Sequence, residues 1–262
     1  MIEIHKSAAD FARQKYDVLV PTMGALHAGH ESLIKIGKSS GKKVLVSIFI
    51  NPLQFENKND LENYPKSVEK DLALAESAGA DGIFIPSKEE IYPGKVDEVS
   101  AGELGEIYEG KSRPSHFNGV LTVVKRLFEI SSPRMAVFGE KDFQQLFLIK
   151  KMVKEYGLPI EISAAPTIRD EFGLALSSRN MFLDIDQKKS AQVLFRTLQK
   201  SSIDEMKQEI KNEPNFKLDY LEIINEESFL KADKSTRYKR GIIAGWINQV
   251  RLIDNMQVSF TS

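Results

Sequence analysis

The feature that most restricts the fold is an alternation of texture over the first two thirds of the chain, where short β-branched runs are separated by longer stretches of helical periodicity. Parallel strands need a crossover between them, usually a helix, so this alternation predicts a parallel sheet covered by helices on both faces. Strands are expected at Asp17 to Thr22, Val44 to Ile50, Gly82 to Ile85, Met135 to Phe138 and Ile160 to Ala164. Five strands of this kind suit a doubly wound α/β sheet. Helices are expected at about 30–38, 67–78, 118–130 and 142–156. The last carries apolar residues at Phe143, Leu146, Phe147, Ile149, Met152 and Val153, and it meets a stop signal at Gly157-Leu158-Pro159.

Beyond about residue 170 the pattern changes. A Lys- and Gln-rich helical stretch at about 185–211 precedes three short apolar runs, Asp219 to Asn225, Gly241 to Ile247 and Val250 to Asp254. This reads as a second, smaller α+β domain, giving domains of 1–169 and 170–262; 262 residues are ample for such a pair. The segment from about 87 to 117, rich in Gly, Pro and charge, shows no regular periodicity, and long segments of that kind are often functional.

Charge and composition narrow the chemistry. Lys plus Arg (36) nearly cancel Asp plus Glu (37), so no broad field for nucleic acid or an anionic membrane is expected. The absence of cysteine excludes a disulfide framework, a thiolate metal site and a cysteine nucleophile. A cytoplasmic setting is consistent with that. The first residues lack the basic start and apolar run of a signal peptide, and the longest apolar stretch, Val44 to Ile50, is far short of the roughly 20 residues that span a bilayer.

Two segments resemble phosphate sites. Gly105-Glu106-Ile107-Tyr108-Glu109-Gly110-Lys111-Ser112 fits the P-loop form, but its context does not: no strand leads in, Pro114 disfavours helix at Arg113, and two glutamates would sit in a loop meant for an anion. In Val20-Pro21-Thr22-Met23-Gly24-Ala25-Leu26-His27-Ala28-Gly29-His30 the context and the chemistry agree. A strand leads in, Gly24 allows a tight turn, and Leu33, Ile34 and Gly37 begin a helical pattern. His27 and His30, three apart, share one face at a helix start, where backbone N–H groups and the helix dipole favour an anion. Two of only four histidines in one turn argue against coincidence, and with no third His or Cys nearby a metal site is unsupported. The arrangement H-x-G-H marks the superfamily of nucleotidyltransferases.

With further segments the chain resembles the pantothenate synthetase family. Beside Pro21 to His30 these are Phe49-Ile50-Asn51-Pro52-Leu53-Gln54-Phe55, Tyr64-Pro65, Arg113-Pro114-Ser115-His116-Phe117-Asn118-Gly119-Val120, Phe138-Gly139-Glu140-Lys141-Asp142-Phe143-Gln144-Gln145-Leu146, Leu174-Ala175-Leu176-Ser177-Ser178-Arg179-Asn180 and Arg251-Leu252-Ile253-Asp254-Asn255, in collinear order from about residue 20 to 255. The resemblance implies a Rossmann-like doubly wound domain with a small C-terminal lid domain. It also implies a reaction in which ATP and D-pantoate give pantoyl-adenylate and pyrophosphate, after which β-alanine displaces AMP. A carboxylate is a poor electrophile until joined to AMP, and the nucleophiles belong to the substrates, so no Ser-His-Asp or Cys-His set is required. The protein has to supply positioning and positive charge.

Carried over by position, ATP would meet Met23, Gly24, Ala25, Leu26, His27, Ala28, Gly29, His30, Gly139, Glu140, Lys141, Asp142, Ile168, Leu176, Ser177, Ser178 and Arg179. His30 would be the catalytic proton donor, with His27 and Lys141 as catalytic partners; Gln54 and Gln145 would bind pantoate, and Gln54 also β-alanine. Mg²⁺ is implied on the phosphates with Asp71 near it, and a homodimer is implied as well. Plainer readings exist: Lys141 as a solvated lysine, Gln54 as a turn cap, Ser177 to Asn180 as a linker or helix cap, His116 as an ordinary loop histidine. The sequence departs from the family at Lys66, where Arg is common, and at Phe172, where Asp is frequent. Two other functions compete: a nucleotidyltransferase with a stable nucleotide-linked product, and a catalytically inactive nucleotide-binding regulator that kept the fold.

Overall fold

A computed structural model describes residues 2–13, 15–56, 61–65 and 67–259, without the side chains of 11–13. Lys66 lies outside the described residues. The chain divides into two compact units, one of Met1–Glu140 with Gln144–Pro166, the other of Lys141–Phe143 with Thr167–Ser262.

The first unit is built on a six-stranded sheet in which every pairing is parallel: β1 (Glu3–His5), β2 (Val18–Thr22), β3 (Val44–Ile48), β4 (Gly82–Phe84), β5 (Met135–Gly139) and β6 (Glu161–Ala165), in the order β1-β4-β3-β2-β5-β6. The sequence reading missed β1, a three-residue edge strand with two of its residues exposed. In β3 every residue is buried, as expected of a parallel strand covered on both faces, which is why it reads as a continuous apolar run. Val18, Val20, Val44, Val46, Ile83 and Val137 are fully buried in one core with Ile34 of helix α1 (Ala28–Ser39). Helices α2 (Val68–Ser77), α3 (His116–Ser131) and α4 (Phe143–Glu155) fall where periodicity placed them.

From β2 the sheet grows one way through β3 and β4 and the other way through β5 and β6. The direction therefore reverses between β2 and β5, and the carboxyl ends of those two strands, Thr22 and Gly139, flank the switch point where open α/β sheets bind ligands.

The unassigned segment 87–117 has short turns of helix at Lys88–Ile91, Glu103–Gly105 and Glu109–Ser112. The P-loop look-alike thus has a 3-10 turn in front of it instead of a strand, and its helix is four residues long, ending at a non-helical Arg113. Neither element meets the requirements of a phosphate loop.

The second unit carries the antiparallel sheet β7 (Phe216–Asn225), β8 (Lys239–Ile247) and β9 (Val250–Val258), paired in that order. The single helical stretch expected at 185–211 is three helices, α5 (Ile185–Ala191), α6 (Val193–Leu198) and α7 (Ile203–Lys211). Their apolar faces meet the sheet in one core with Leu194, Leu198, Phe216, Ile243 and Leu252 at its centre. No helix among the described residues is long and apolar enough to cross a membrane.

Candidate active site

After Thr22 the first unit forms a turn with two consecutive positive φ angles, +85° at Gly24 and +51° at Ala25. Gly24 is required twice over, since a Cβ there would also lie 3.0 Å from the Asp71 carboxylate and 3.2 Å from Ile48. The turn is anchored at both ends. The Thr22 hydroxyl accepts the Gly24 N–H at 3.2 Å and donates to the Ser47 carbonyl at 2.7 Å. Asp71, 2% exposed on α2, accepts the Ala25 N–H at 2.9 Å and the Leu26 N–H at 2.7 Å, one on each carboxylate oxygen.

The two histidines close the start of α1 together. His27 is the N-cap, its Nδ1 accepting the Gly29 N–H at 3.1 Å, while His30 Nδ1 accepts the His27 N–H at 3.3 Å. The rings lie 4.2 Å apart between centroids. An imidazole nitrogen that accepts from an amide carries no proton, so in the neutral rings both protons sit on Nε2. The half-buried pair thus carries its two ring N–H groups on Nε2 beside a helix start, where the backbone and the dipole favour an anion.

A second buried cluster of the first unit surrounds Gln54. Asn51, fully buried, donates through Nδ2 to Gln54 Oε1 at 3.1 Å and to the Gly119 carbonyl at 2.9 Å; its Oδ1 accepts from the Leu53 N–H and the Tyr92 hydroxyl. Burial pushes the Tyr92 phenol above its ordinary value, which keeps it a donor. The Gln54 Nε2 lies 3.0 Å from the Met23 sulfur, so the residues expected to meet pantoate and ATP adjoin here. His116, 5% exposed, sits 2.9 Å through Nδ1 from the Gln54 carbonyl; a carbonyl only accepts, so this ring carries its proton on Nδ1. It is a buried anchor for the Gln54 main chain. Sequence reasoning gave no role to Asn51, although Asn before Pro is a signal for a turn closed by its own side chain.

The adjacent glutamines of α4 differ. Gln144, 5% exposed, donates to the carbonyls of Leu104 and Ile107 at 2.8 and 2.9 Å and accepts the Glu109 N–H at 3.1 Å, tying down the 103–112 segment. Gln145 is half-buried on the same helix, with its amide not committed to that task.

Of the other residues expected to meet ATP, Gly139 and Glu140 stand at the end of β5 in the first unit, and the rest are described within the second unit. Lys141, with its side chain 18% exposed, lies 3.5 Å from the Asp142 carboxylate. Ile168 and Leu176 are joined by a backbone hydrogen bond of 2.9 Å. Ser177 caps the 3-10 turn Ser178–Phe182 through the Arg179 N–H, Arg179 is exposed, and Asn180 is buried with its amide on the Ala175 carbonyl. Phe172 sits in a turn closed by Asp170, which accepts the N–H groups of Phe172 and Leu174, so the turn holds without an Asp at 172.

The donor set also bears on a metal. Among the described residues no group of three or more His, Cys, Asp or Glu could hold an ion, and both oxygens of Asp71, the residue expected near the metal, are engaged by the turn. No protein cage for a metal exists among the described residues; the set fits a divalent ion carried on phosphate oxygens and water.

The family model described as pantoate-beta-alanine ligase matches residues 2–257. The chain is 43% identical over 253 residues to a pantothenate synthetase of Thermus thermophilus, covering 91% of this chain and 92% of that one. A crystal structure of pantothenate synthetase from the same organism superposes with a TM-score of 0.92 at 38% identity, over 99% of this chain and 100% of the other. The pantoate-beta-alanine ligase from Francisella tularensis, crystallised with beta-gamma ATP and beta-alanine, superposes with a TM-score of 0.83 at 38% identity, over 98% of each chain.

Proposed function

The chain belongs to the pantoate-beta-alanine ligase family, and we infer from this and from its nucleotide turn that it is an ATP-dependent ligase joining D-pantoate to β-alanine. The observation that carries the reading is the His27 and His30 pair, capping a helix at the switch point of a parallel sheet with each Nδ1 taking a backbone N–H. A carboxylate oxygen of pantoate attacks the α-phosphorus of ATP, the bond to the bridging oxygen breaks, and pyrophosphate leaves. The amine of β-alanine then attacks the acyl carbon, the acyl–oxygen bond breaks, AMP leaves, and the amine loses a proton.

Each residue's part follows from its donors. The His27 and His30 N–H groups neutralise charge on the phosphates as it shifts towards pyrophosphate, and His30 supplies the proton that pyrophosphate takes. The turn Met23 to Gly29 offers backbone to the nucleotide. Gln54 and Gln145 have amides able to pair with the hydroxyls and carboxylate of pantoate, and Gln54 borders the β-alanine path. In the same proposal Lys141 and Arg179 supply cations, while Gly139, Glu140, Asp142, Ile168, Leu176, Ser177 and Ser178 contact the nucleotide. Mg²⁺ would be held by phosphate oxygens and would add positive charge there; Asp71 serves the turn. Residence in the cytoplasm and a homodimer belong to the same proposal, supported by the family resemblance, as does the assignment of nucleotide and pantoate to 1–169.

A pyrophosphate-release assay tests the reading. With ATP and pantoate alone the enzyme is expected to release pyrophosphate, and AMP only once β-alanine is added. Release with a phosphorylated alcohol and none with pantoate would replace it with a nucleotidyltransferase that makes a stable product.

A further inference from the structure

Lys141 lies in a 3-10 turn of three residues, Glu140–Asp142, directly before α4. Its carbonyl is held from outside, by a residue 114 positions away. Asn255 of β9, 4% exposed, donates from Nδ2 to the Lys141 carbonyl at 2.8 Å. On its other side Asn255 Oδ1 accepts Arg240 Nη1 at 2.6 Å. The two neighbours dictate the amide's orientation independently: a guanidinium only donates, so it must face the oxygen, and a carbonyl only accepts, so it must face the NH₂. Aspartate would turn an acceptor against the carbonyl, and leucine would serve neither partner.

Everything around this amide is itself held. Arg240, 7% exposed, donates through Nε to Glu226 at 2.7 Å, and its guanidinium stands 4.0 Å over the ring of Phe143, two residues after Lys141. That ring stacks on Phe229 at 6.2 Å and 23°. Asp254, 3% exposed, accepts the Asn255 N–H at 2.7 Å and forms a two-pronged pair with Arg169 at 2.6 and 2.9 Å. The carbonyl of Lys141 and the ring of Phe143 are thus gripped from the two sides of one arginine–asparagine pair. This fixes the direction in which the Lys141 side chain leaves the backbone.

We propose that Asn255, oriented by Arg240, is a positioning residue for Lys141 in the adenylation step. It touches no substrate and acts by holding the lysine backbone. The proposal rests on Lys141 acting in that step, as argued above.

The test is a double-mutant cycle on pyrophosphate release with ATP and pantoate. Asn255→Asp is expected to lower kcat roughly tenfold to a hundredfold, the scale on which a displaced catalytic group fails, with the KM for pantoate unchanged. In a Lys141→Ala background, itself slowed roughly a hundredfold or more, Asn255→Asp is expected to cause no further loss. Asn255→Ala, which places no added charge beside Asp254, is measured alongside and is expected to show the same non-additivity. If Lys141→Ala slows the enzyme but the Asn255 defects multiply with it, or are absent in folded protein, the positioning role is overturned and the role of Lys141 stands. Loss of the fold in both Asn255 variants, with Lys141→Ala folded, makes Asn255 purely structural and overturns the proposal too. A Lys141→Ala enzyme at full rate removes the lysine from the reaction and Asn255 with it.

Discussion

At the scale of single residues, the local chemistry of the turn after β2 decides more than the motif itself. H-x-G-H shows that two imidazoles stand at a helix start, but the caps decide their protonation: each Nδ1 takes a backbone N–H, leaving Nε2 as the donor. Asp71 is the counterpart on the other side of the turn. Replacing it by Asn leaves one oxygen and turns an NH₂ group towards the second backbone donor, whichever way the amide is placed. Asp71→Asn is expected to cost about 1–3 kcal/mol in urea unfolding, the usual penalty for an unsatisfied buried group, and to raise the KM for ATP by loosening Ala25 and Leu26. A wild-type KM and urea midpoint would show that the turn does not depend on this carboxylate. For Asp71 the family resemblance implied a place near a metal, whereas its hydrogen bonds to residues 45 and 46 positions away were not legible in the sequence.

At the scale of elements, periodicity was a good guide wherever an element was long and one face buried, as in α1, α3 and α4. It failed at the edge strand β1, too short to show a period, and at 185–211, where one polar-rich pattern conceals three helices. The last two of these are tied together by charge. Arg196 donates to Glu209 at 2.7 Å and Lys200 lies 2.9 Å from its other oxygen, and these hydrogen bonds hold the Glu209 carboxyl below the ordinary glutamate value of 4.5. The sign follows from linkage: with a lowered folded value, the stabilisation is complete above about pH 4.5 and is lost as the pH falls through the folded value, because the unfolded chain takes up the proton first. The urea midpoint is therefore expected to drop on acidification below pH 4.5, and Glu209→Gln to flatten that drop while lowering the midpoint at neutral pH. An unchanged acid slope in the variant would remove Glu209 from the pH response.

At the scale of the whole molecule, the two units are not consecutive lengths of chain. Phe143 belongs to the second unit and Leu146, one helical turn later, to the core of the first. Phe143→Ala is expected to speed amide hydrogen exchange around Phe229, Arg240 and Asn255, at a cost on the order of 1–3 kcal/mol. Leu146→Ala, losing about 2–5 kcal/mol, is expected to do so in the first unit's sheet. The same exchange pattern from both would show a single undivided core. The sequence by itself determined the class of fold and the turn at Pro21 to His30, because strand and helix periods and turn glycines are local properties that a chain states in order, and it led to the reaction only through the family that its collinear motifs resemble. Only the tertiary structure decided that Asp71 grips the turn, that His116 and Asn51 hold Gln54, that Gln144 and not Gln145 ties down the 103–112 segment, and that Asn255 holds Lys141. Most of those contacts join residues dozens to more than a hundred positions apart, and buried polar groups find such partners only when the folded backbone brings donor and acceptor face to face.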